Sequence, residues 1–495
     1  MPPHYLVIGS GPSGMACAAA LLETQARVTM IDIGADLTPA TQDRAAGLAQ
    51  QSAWSGDDRA WIQRGLKADA GGIPLKTLFG EDFMYARRDV TDAVLPKHFG
   101  QWPGQSVGGL SRVWGATLKR LGPRELSGWP FAAEALAPHY AAAERLLGPH
   151  GPAMSGQARE LLGRWNTQTA AMTELGITVS PASLAVSPDC RLCGMCLYGC
   201  PYGYIFSSHQ LLPRFQAQEK FSYRGGLKAL RLVSRADGTD AVVSQPDGSQ
   251  TVLTADRVFV AAGVLGTARL MLKSFYPAGE ALTLQDGQYF LLPFLAPSPK
   301  PEALHTLSQL FMELDGPAPM HVQIYGRNDL YARALAAPFG PLAPLLRPLA
   351  DLAGRRIVMA QGYLPSALSG SAQLRLDAQD RLAISARVSP ATGEALRAIW
   401  PRLARAGRLA GLRALPFLAR QAEIGRGYHS GGTLPMSRSP ARFESDLLGR
   451  AAGAERVHVV DASVWPDIPS GPVTLTAMAN AHRIAADVVR LDGMS

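Results

Sequence analysis

Tyr5-Leu6-Val7-Ile8 is an unbroken apolar run closed by Gly9, and Met15-Ala16-Cys17-Ala18-Ala19-Ala20-Leu21-Leu22 follows a short glycine-rich interruption. The first run predicts a buried strand and the alanine-rich run a buried helix. Val28 to Ile31 predicts a second strand, ended by Asp32. Residues 36–100 lose the pattern, with Trp, Asp, Gly and Pro scattered through them, and residues 132–147 and 157–175 regain it with helical spacing. Ser222 to Ala255 alternates in the manner of strands, with Asp237-Gly238 and Asp247-Gly248 as hairpin turns. Val258 to Gly263 then predicts a buried strand, and Val264 to Leu272 opens a helix. Further strands are expected near 288–296, 319–325 and 357–363. Leu335 to Ala353 is apolar but holds Pro338, Pro341, Pro344 and Pro348, which oppose a single long helix. Packed coil is the reading there, with a membrane-dipping or partner-binding loop as the alternative. Residues 396–420 mix Arg397, Arg402, Arg405, Arg408, Arg413 and Arg420 with leucines. This predicts a surface helix with one buried face, a helix lying on a bilayer being the alternative. Val457 to Val460 predicts a strand, and Thr474 to Leu491 a closing helix.

The first strand and helix are joined by Gly9-Ser10-Gly11-Pro12-Ser13-Gly14. In a dinucleotide fingerprint Gly9 permits the tight turn, Gly11 lets backbone approach a pyrophosphate, and Gly14 lets helix and strand pack closely. The helix N-terminus faces the phosphates, and Asp32 can bind a ribose hydroxyl. Strand, turn, helix and acid together make the signal strong, though they do not choose between FAD and NAD. Ala261-Ala262-Gly263 before a helix is a second nucleotide-facing turn. The expected fold is therefore α/β, with a discontinuous Rossmann-like dinucleotide domain. Its first part spans residues 1–180 and its second part residues 216–274. Residues 181–215 form an insertion, residues 275–425 an α+β substrate domain, and residues 426–495 a C-terminal segment returning to the site.

That insertion carries four of the five cysteines, Cys190, Cys193, Cys196 and Cys200, in the spacing C-x2-C-x2-C-x3-C-P. The run is the bacterial ferredoxin signature, and thiolates this closely spaced suit iron–sulfur or zinc. Structural zinc more often uses two separated ligand pairs, and disulfides would need an oxidising compartment. One iron–sulfur cluster is expected, a [4Fe–4S] closed by Cys200, with a three-ligand [3Fe–4S] as the alternative. Cys17 is expected in the core.

Bulk composition adds little. Across 495 residues, 47% hydrophobic and 18% charged content are those of a globular protein, and a net charge of +8 is dilute. No basic block interleaved with aromatics argues for nucleic acid. No run is long and apolar enough to span a membrane, and no signal-peptide pattern opens the chain. A cytoplasmic protein is expected, with peripheral membrane contact as the alternative.

Several further motifs agree on a resemblance. Gly108-Gly109-Leu110-Ser111, Ala262-Gly263-Val264-Leu265-Gly266-Thr267, His429 with Gly432-Thr433 and Met436, and Asp461-Ala462-Ser463-Val464 with Pro466 follow the N-terminal fingerprint in order. The chain resembles the glucose–methanol–choline (GMC) family of FAD-dependent oxidoreductases. The cysteine run is similar in role to that of the family's iron–sulfur sugar dehydrogenases. The resemblance implies FAD held by Gly9, Gly11, Gly14, Asp32, Gly108, Gly109, Ser111, Ala262, Gly263, Asp461 and Ala462. It implies His429 as the catalytic base, with a pKa near working pH, and oxidation of an alcohol or sugar CH–OH. It also implies an external acceptor such as a cytochrome, ferredoxin or quinone. Val113 stands where covalent relatives carry histidine, so FAD is expected to be non-covalent. Pro472 falls where the family's second active-site residue, an Asn or His, would stand. Two other readings stay open: a cluster-fed reductase of a ketone or double bond, and a redox carrier without a small-molecule substrate.

Overall fold

The computed structural model describes residues 2–64, 67–68, 74–85, 93–96, 98–298, 305–316, 318–326, 328 and 343–493. Its centre is a parallel five-stranded sheet in the order Val457–Val459, Arg257–Val260, His4–Ile8, Arg27–Asp32, Phe221–Gly225. The middle strand reads as a continuous apolar run because both of its faces are covered; Tyr5, Leu6 and Val7 are fully buried. Helix Pro12–Leu22, with Cys17 in the core, packs along the closing helix Thr474–Leu491. An antiparallel meander, Lys228–Ser234, Thr239–Ser244 and Gln250–Ala255, lies between the strands at 221 and 257, with both expected Asp-Gly turns in place. The strands of the central sheet thus come from three distant segments of chain.

Close backbone approach holds those segments together. Gly9 has φ +103°, and a Cβ on it would sit 2.2 Å from the Ala261 carbonyl oxygen. A Cβ on Gly14 would sit 1.9 Å from the Gly9 carbonyl oxygen. No side chain fits either place.

A second body is an antiparallel sheet in the order Arg413–Ala414, Tyr289–Leu295, Ile357–Tyr363, Met320–Tyr325, Ser308–Leu314, Ile177–Pro181, with Arg420–Gln421 also pairing to Tyr289–Leu295. Successive side chains in a strand point to opposite faces. Phe290, Leu292, Phe294, Val322, Ile324 and Val358 make the apolar face, in one cluster with Leu161 and Trp165 of helix Gly156–Asn166 and Leu396, Ile399 and Leu403 of helix Pro390–Leu409. The other face carries Tyr289, Glu313, His321, Gln323, Gln361 and Tyr363. A smaller sheet, in the order Ser430–Gly431, Ala281–Asp286, Ser371–Leu376, Leu382–Arg387, Ala93–Val94, joins this body to the C-terminal segment.

Two expectations need correction. The arginine-rich helix ends at Leu409, so Arg413 and Arg420 lie on short strands instead, and its apolar face is committed to the sheet. Within Leu335–Ala353, Ala343–Gly354 is helical with Pro348 inside it. Pro344 falls in its first turn, where a missing N–H costs no hydrogen bond. Leu345, Leu349 and Leu352 on this helix are exposed, and residues 335–342 lie outside the described ones. No helix among the described residues is long and apolar enough to cross a membrane.

A matched pair of substitutions tests the close approach. Gly14→Ala should cost about 1–3 kcal/mol through overpacking and lower the thermal midpoint. Gly47→Ala, on helix Pro39–Ala49 with nothing within 4 Å of the new Cβ, should raise or preserve it. Equal midpoints for the two variants would contradict this account of the crossing.

Candidate functional site

The carboxyl ends of the central strands surround a cavity of about 240 Å³, partly open to solvent. Gly9, Gly11, Asp32, Gly109, Ala262, Gly263 and Asp461 all line it. Ligands of open α/β sheets bind at this end of the strands. Helix Pro12–Leu22 opens at the cavity, with Gly11 as its N-cap and no side-chain cap, so its first N–H groups are free for a phosphate.

The acids are positioned by their neighbours. Asp32 Oδ2 accepts from the Ser10 amide and hydroxyl, both at 2.6 Å, and Oδ1 from the Gly34 amide at 2.7 Å. Burial pushes its pKa up, and these bonds pull against that. An ionised carboxylate has about four lone-pair sites, so Asp32 keeps one for a ligand. Asp461 Oδ2 accepts from Thr267 Oγ1 at 2.6 Å, tying the 457–461 strand to the helix after Gly263.

Gly14, Gly108, Ser111 and Ala462 stand behind the lining. Ser111 Oγ donates to the Gly108 carbonyl at 2.6 Å, and Gly108 N–H donates to Ser10 Oγ at 2.8 Å. Ser208 Oγ donates to the carbonyls of Ser10 and Gly108 at 2.9 and 3.0 Å. This buried serine knot joins the fingerprint turn, the glycine loop and the segment that follows the cysteines. The Ala462 carbonyl accepts from Gly432 N–H at 2.9 Å, fixing the histidine loop to the 461–466 segment.

His429 is joined to the cavity through the residues on either side of it. Its neighbours reach the lining: Ser430 Oγ donates to Gln101 Oε1 at 2.6 Å, and Tyr428 Oη accepts from the Trp102 amide at 3.4 Å. Tyr428 has φ +54°, a left-handed conformation costly for a bulky residue and typical of functional sites. The His429 ring stacks on Tyr363 at 4.2 Å, and its Nδ1 is buried without a partner. Burial, and then the charge of His321, lowers its pKa to about 3. The expected pKa near working pH is therefore corrected: His429 is a neutral proton acceptor of weak basicity.

Sequence reasoning missed four residues around this ring. His321 is fully buried, its Nδ1 lies 2.8 Å from Glu313 Oε1, and Glu313 is bridged to Lys119 at 2.7 Å. Burial pushes the Glu313 carboxyl up, but His321 and Lys119 outweigh it and hold it below its ordinary value. Asp286, fully buried, accepts from Gly425 N–H at 2.8 Å through Oδ2, while its Oδ1 has no partner; burial raises its pKa to about 7. The alternation Met320-His321-Val322-Gln323-Ile324-Tyr325 was a usable signal, since a strand with one apolar and one hydrogen-bonding face has two buried roles.

Cys190, Cys193, Cys196 and Cys200 line one separate small cavity of about 10 Å³, with Val186, Tyr204 and Ile205 beside them. The loop reverses through Leu192, Gly194 and Gly199, all at positive φ. Burial raises the thiols of Cys190 and Cys200 and pushes Cys193 up to about 12, against backbone N–H bonds from Leu192, Met195, Tyr202, Tyr204 and Ile205. The Lys76 ammonium, buried, donates to the Trp114 carbonyl at 2.8 Å, and Cys196 and Cys200 offset part of the burial that lowers its pKa to about 8. Among the described residues, no three His, Cys, Asp or Glu side chains stand close enough to share one metal ion. A tetrahedral zinc site would need its sulfurs about 3.8 Å apart. Thiolates of a cluster bind different irons and need no such closeness. The backbone N–H groups and the nearby Lys76 ammonium favour negative charge on these sulfurs, against the effect of burial.

Comparison with known proteins agrees with this geometry. Residues 394–481 match the family model described as GMC oxidoreductase, its C-terminal domain. The chain is 25% identical over 96% of its length to 6'''-hydroxyparomomycin C oxidase of Streptomyces lividus, covering 89% of that protein. An uncharacterized GMC-type oxidoreductase of Mycobacterium tuberculosis is 27% identical over 61% of this chain and 51% of its own. Among solved structures, pyridoxine 4-oxidase from Mesorbium loti shares the fold, with a TM-score of 0.65 and 18% identity over 99% of both chains.

The raised pKa of Asp286 sets a pH dependence. Between about 3.8 and 7 the folded state binds the proton more tightly than the unfolded state, so stability falls as pH rises through this window. Asp286→Asn should therefore raise the thermal midpoint at pH 8 relative to wild type, and do so less at pH 5. A difference independent of pH would mean that Asp286 ionises freely.

Proposed function

We propose that this chain is a GMC-type oxidoreductase that binds FAD without a covalent link and oxidises a CH–OH group of a polar, hydroxyl-bearing small molecule. The observation that carries this reading is the meeting of Gly9, Gly11, Asp32, Ala262, Gly263 and Asp461 around one cavity, to which the histidine loop is tied by the Ser430–Gln101 bond. The substrate class rests on the polar face formed by Tyr289, Glu313, His321, Gln323, Gln361 and Tyr363, which offers hydrogen bonds where a hydrocarbon substrate would need none. Hydroxyparomomycin C and pyridoxine, the molecules named for two similar proteins, are of this kind.

FAD, held by Gly9, Gly11, Asp32, Gly109, Ala262, Gly263 and Asp461, supplies hydride acceptance. The chain supplies the rest. Residues of the sheet's polar face orient the hydroxyl toward the cavity, which removes much of the entropic barrier. His429, neutral because it is buried, accepts the hydroxyl proton. Stacking on Tyr363 fixes its ring plane. The apolar reverse face, packed on two helices, keeps the supporting strands in place.

Cys190, Cys193, Cys196 and Cys200 would hold one iron–sulfur cluster, a [4Fe–4S], supplying one-electron transfer to an external acceptor. The Lys76–Trp114 contact and the serine knot link that pocket to the glycine loop.

Anaerobic reduction tests the reading. A panel of sugars and primary alcohols should include one that bleaches the bound flavin, and His429→Ala with FAD retained should slow that bleaching at least 100-fold. Reduction only by an artificial reductant would favour the reverse, reductase direction. Anaerobically prepared wild type should contain about four irons per chain, and Cys196→Ser should lose them. An iron-free wild type would remove the cluster from the proposal.

A further inference from the structure

The histidine loop leaves the site one group short. The chain has Pro472 where a second polar side chain would be expected, and Pro472 is buried. Yet the same loop is tied to a strand that carries one: Ser470 Oγ donates to the Pro319 carbonyl at 2.8 Å, two residues before His321. His321 is the cross-strand neighbour of Tyr363, and Tyr363 is the ring on which His429 stacks. Both histidines therefore neighbour one tyrosine, and the charge of His321 acts on His429.

Chemistry at His321 is set by its partner. A carboxylate only accepts, so Glu313 at 2.8 Å from Nδ1 places the ring proton on Nδ1 and leaves Nε2 as a bare acceptor. That Nε2 is buried, in a residue with no exposed surface, and has no partner. A buried acceptor without a donor is unfavourable, and an arriving proton would relieve it. Glu313 is held in turn by Lys119, and Lys119 by Glu125 at 2.6 Å.

We propose that His321 is the second catalytic residue of the site, with Glu313 as its positioning residue. This rests on the alcohol-oxidation reading above. Bound FAD would supply the acceptor for the hydride, the two electrons of the broken C–H bond; as the O–H bond breaks and the carbonyl forms, His429 would accept the hydroxyl proton. Nε2 of His321 then receives that proton from His429, because an imidazolium there is shared with the Glu313 carboxylate, whereas His429 has no anionic partner. The groups facing His321 are Glu313 with Lys119 behind it on one side, and Tyr363 and His429 on the other, with Phe311 edge-on at 4.7 Å.

The test compares wild type, His321→Asn and Glu313→Gln, each loaded with FAD, by anaerobic flavin reduction with the alcohol that bleaches wild type. His321→Asn should lower the limiting reduction rate about 100-fold with a smaller change in substrate affinity. Glu313→Gln should move the acid limb of the rate–pH profile to lower pH, because it removes the carboxylate that favours the protonated ring. A structural role would lower the amplitude and leave the limb in place. Independently of turnover, nitrogen NMR of histidine-labelled, FAD-free protein should find His321 as the Nδ1–H tautomer. Rates within twofold of wild type for His321→Asn, an unmoved limb in Glu313→Gln, or an Nε2–H tautomer of His321 in wild type overturns the proposal. If His321→Asn fails to fold, Glu313→Gln decides alone. If no alcohol bleaches wild type, the underlying function fails first, in wild type before any variant, and this inference falls with it.

Discussion

The parallel pairing of His4–Ile8 with Arg257–Val260 is the contact on which the rest of the molecule depends. It sets Tyr5 against Arg257 and Ile8 against Val260, and so brings the turn after residue 8 to the turn after residue 260. Pairing across some 250 residues of sequence carries a loop-closure cost that grows only slowly with length. What it demands is backbone proximity, met by glycine at position 9. The Val457–Val459 strand then adds to the outer side of Arg257–Val260 and delivers Asp461 to the same cavity. Remove this register and the fingerprint glycines, the second turn and the C-terminal acid are three unrelated loops.

Much of this was legible from the residues alone, for a physical reason. Glycines at fixed offsets, an acid at a strand end and apolar runs four or five residues long are local consequences of how backbone packs on backbone. The segments around residues 9, 109, 262 and 461 could be recognised separately and their convergence anticipated. The polar wall of the second sheet could not. Glu313, His321 and Tyr363 meet only through strand register, and register between strands tens of residues apart leaves no local mark. His429 was legible as a histidine beside a glycine pair, but its weak basicity was not, because burial is a property of the assembled body. The helix over Ala343–Gly354 shows the opposite error: Pro344 falls in its first turn, where proline costs no hydrogen bond, and Pro348 is accommodated inside it.

The cysteine pocket is not an isolated appendage. Lys76 touches the Trp114 carbonyl and lies beside Cys196 and Cys200, and Trp114 Nε1 donates to the Phe206 carbonyl at 2.7 Å. Ser207 and Ser208, a few residues past Cys200, enter the serine knot that holds Gly108 and Ser10. The thiols and the glycine-lined cavity are thus a short run of chain and a few buried hydrogen bonds apart. The two pockets form one polar network.

The alternation in strand Met320–Tyr325 has an evolutionary consequence. Every second residue belongs to the hydrophobic seam against the helices, and the residues between belong to the polar wall. Stability and selectivity are thus written on interleaved letters of the same short word. Exchanging Gln323 or Gln361 for another polar side chain would alter what the wall prefers without touching Val322, Ile324 or Ala360 beneath. On the alcohol-oxidation reading proposed above, a lineage built on this sheet could drift from one hydroxylated compound to another in single steps, each leaving the apolar face intact.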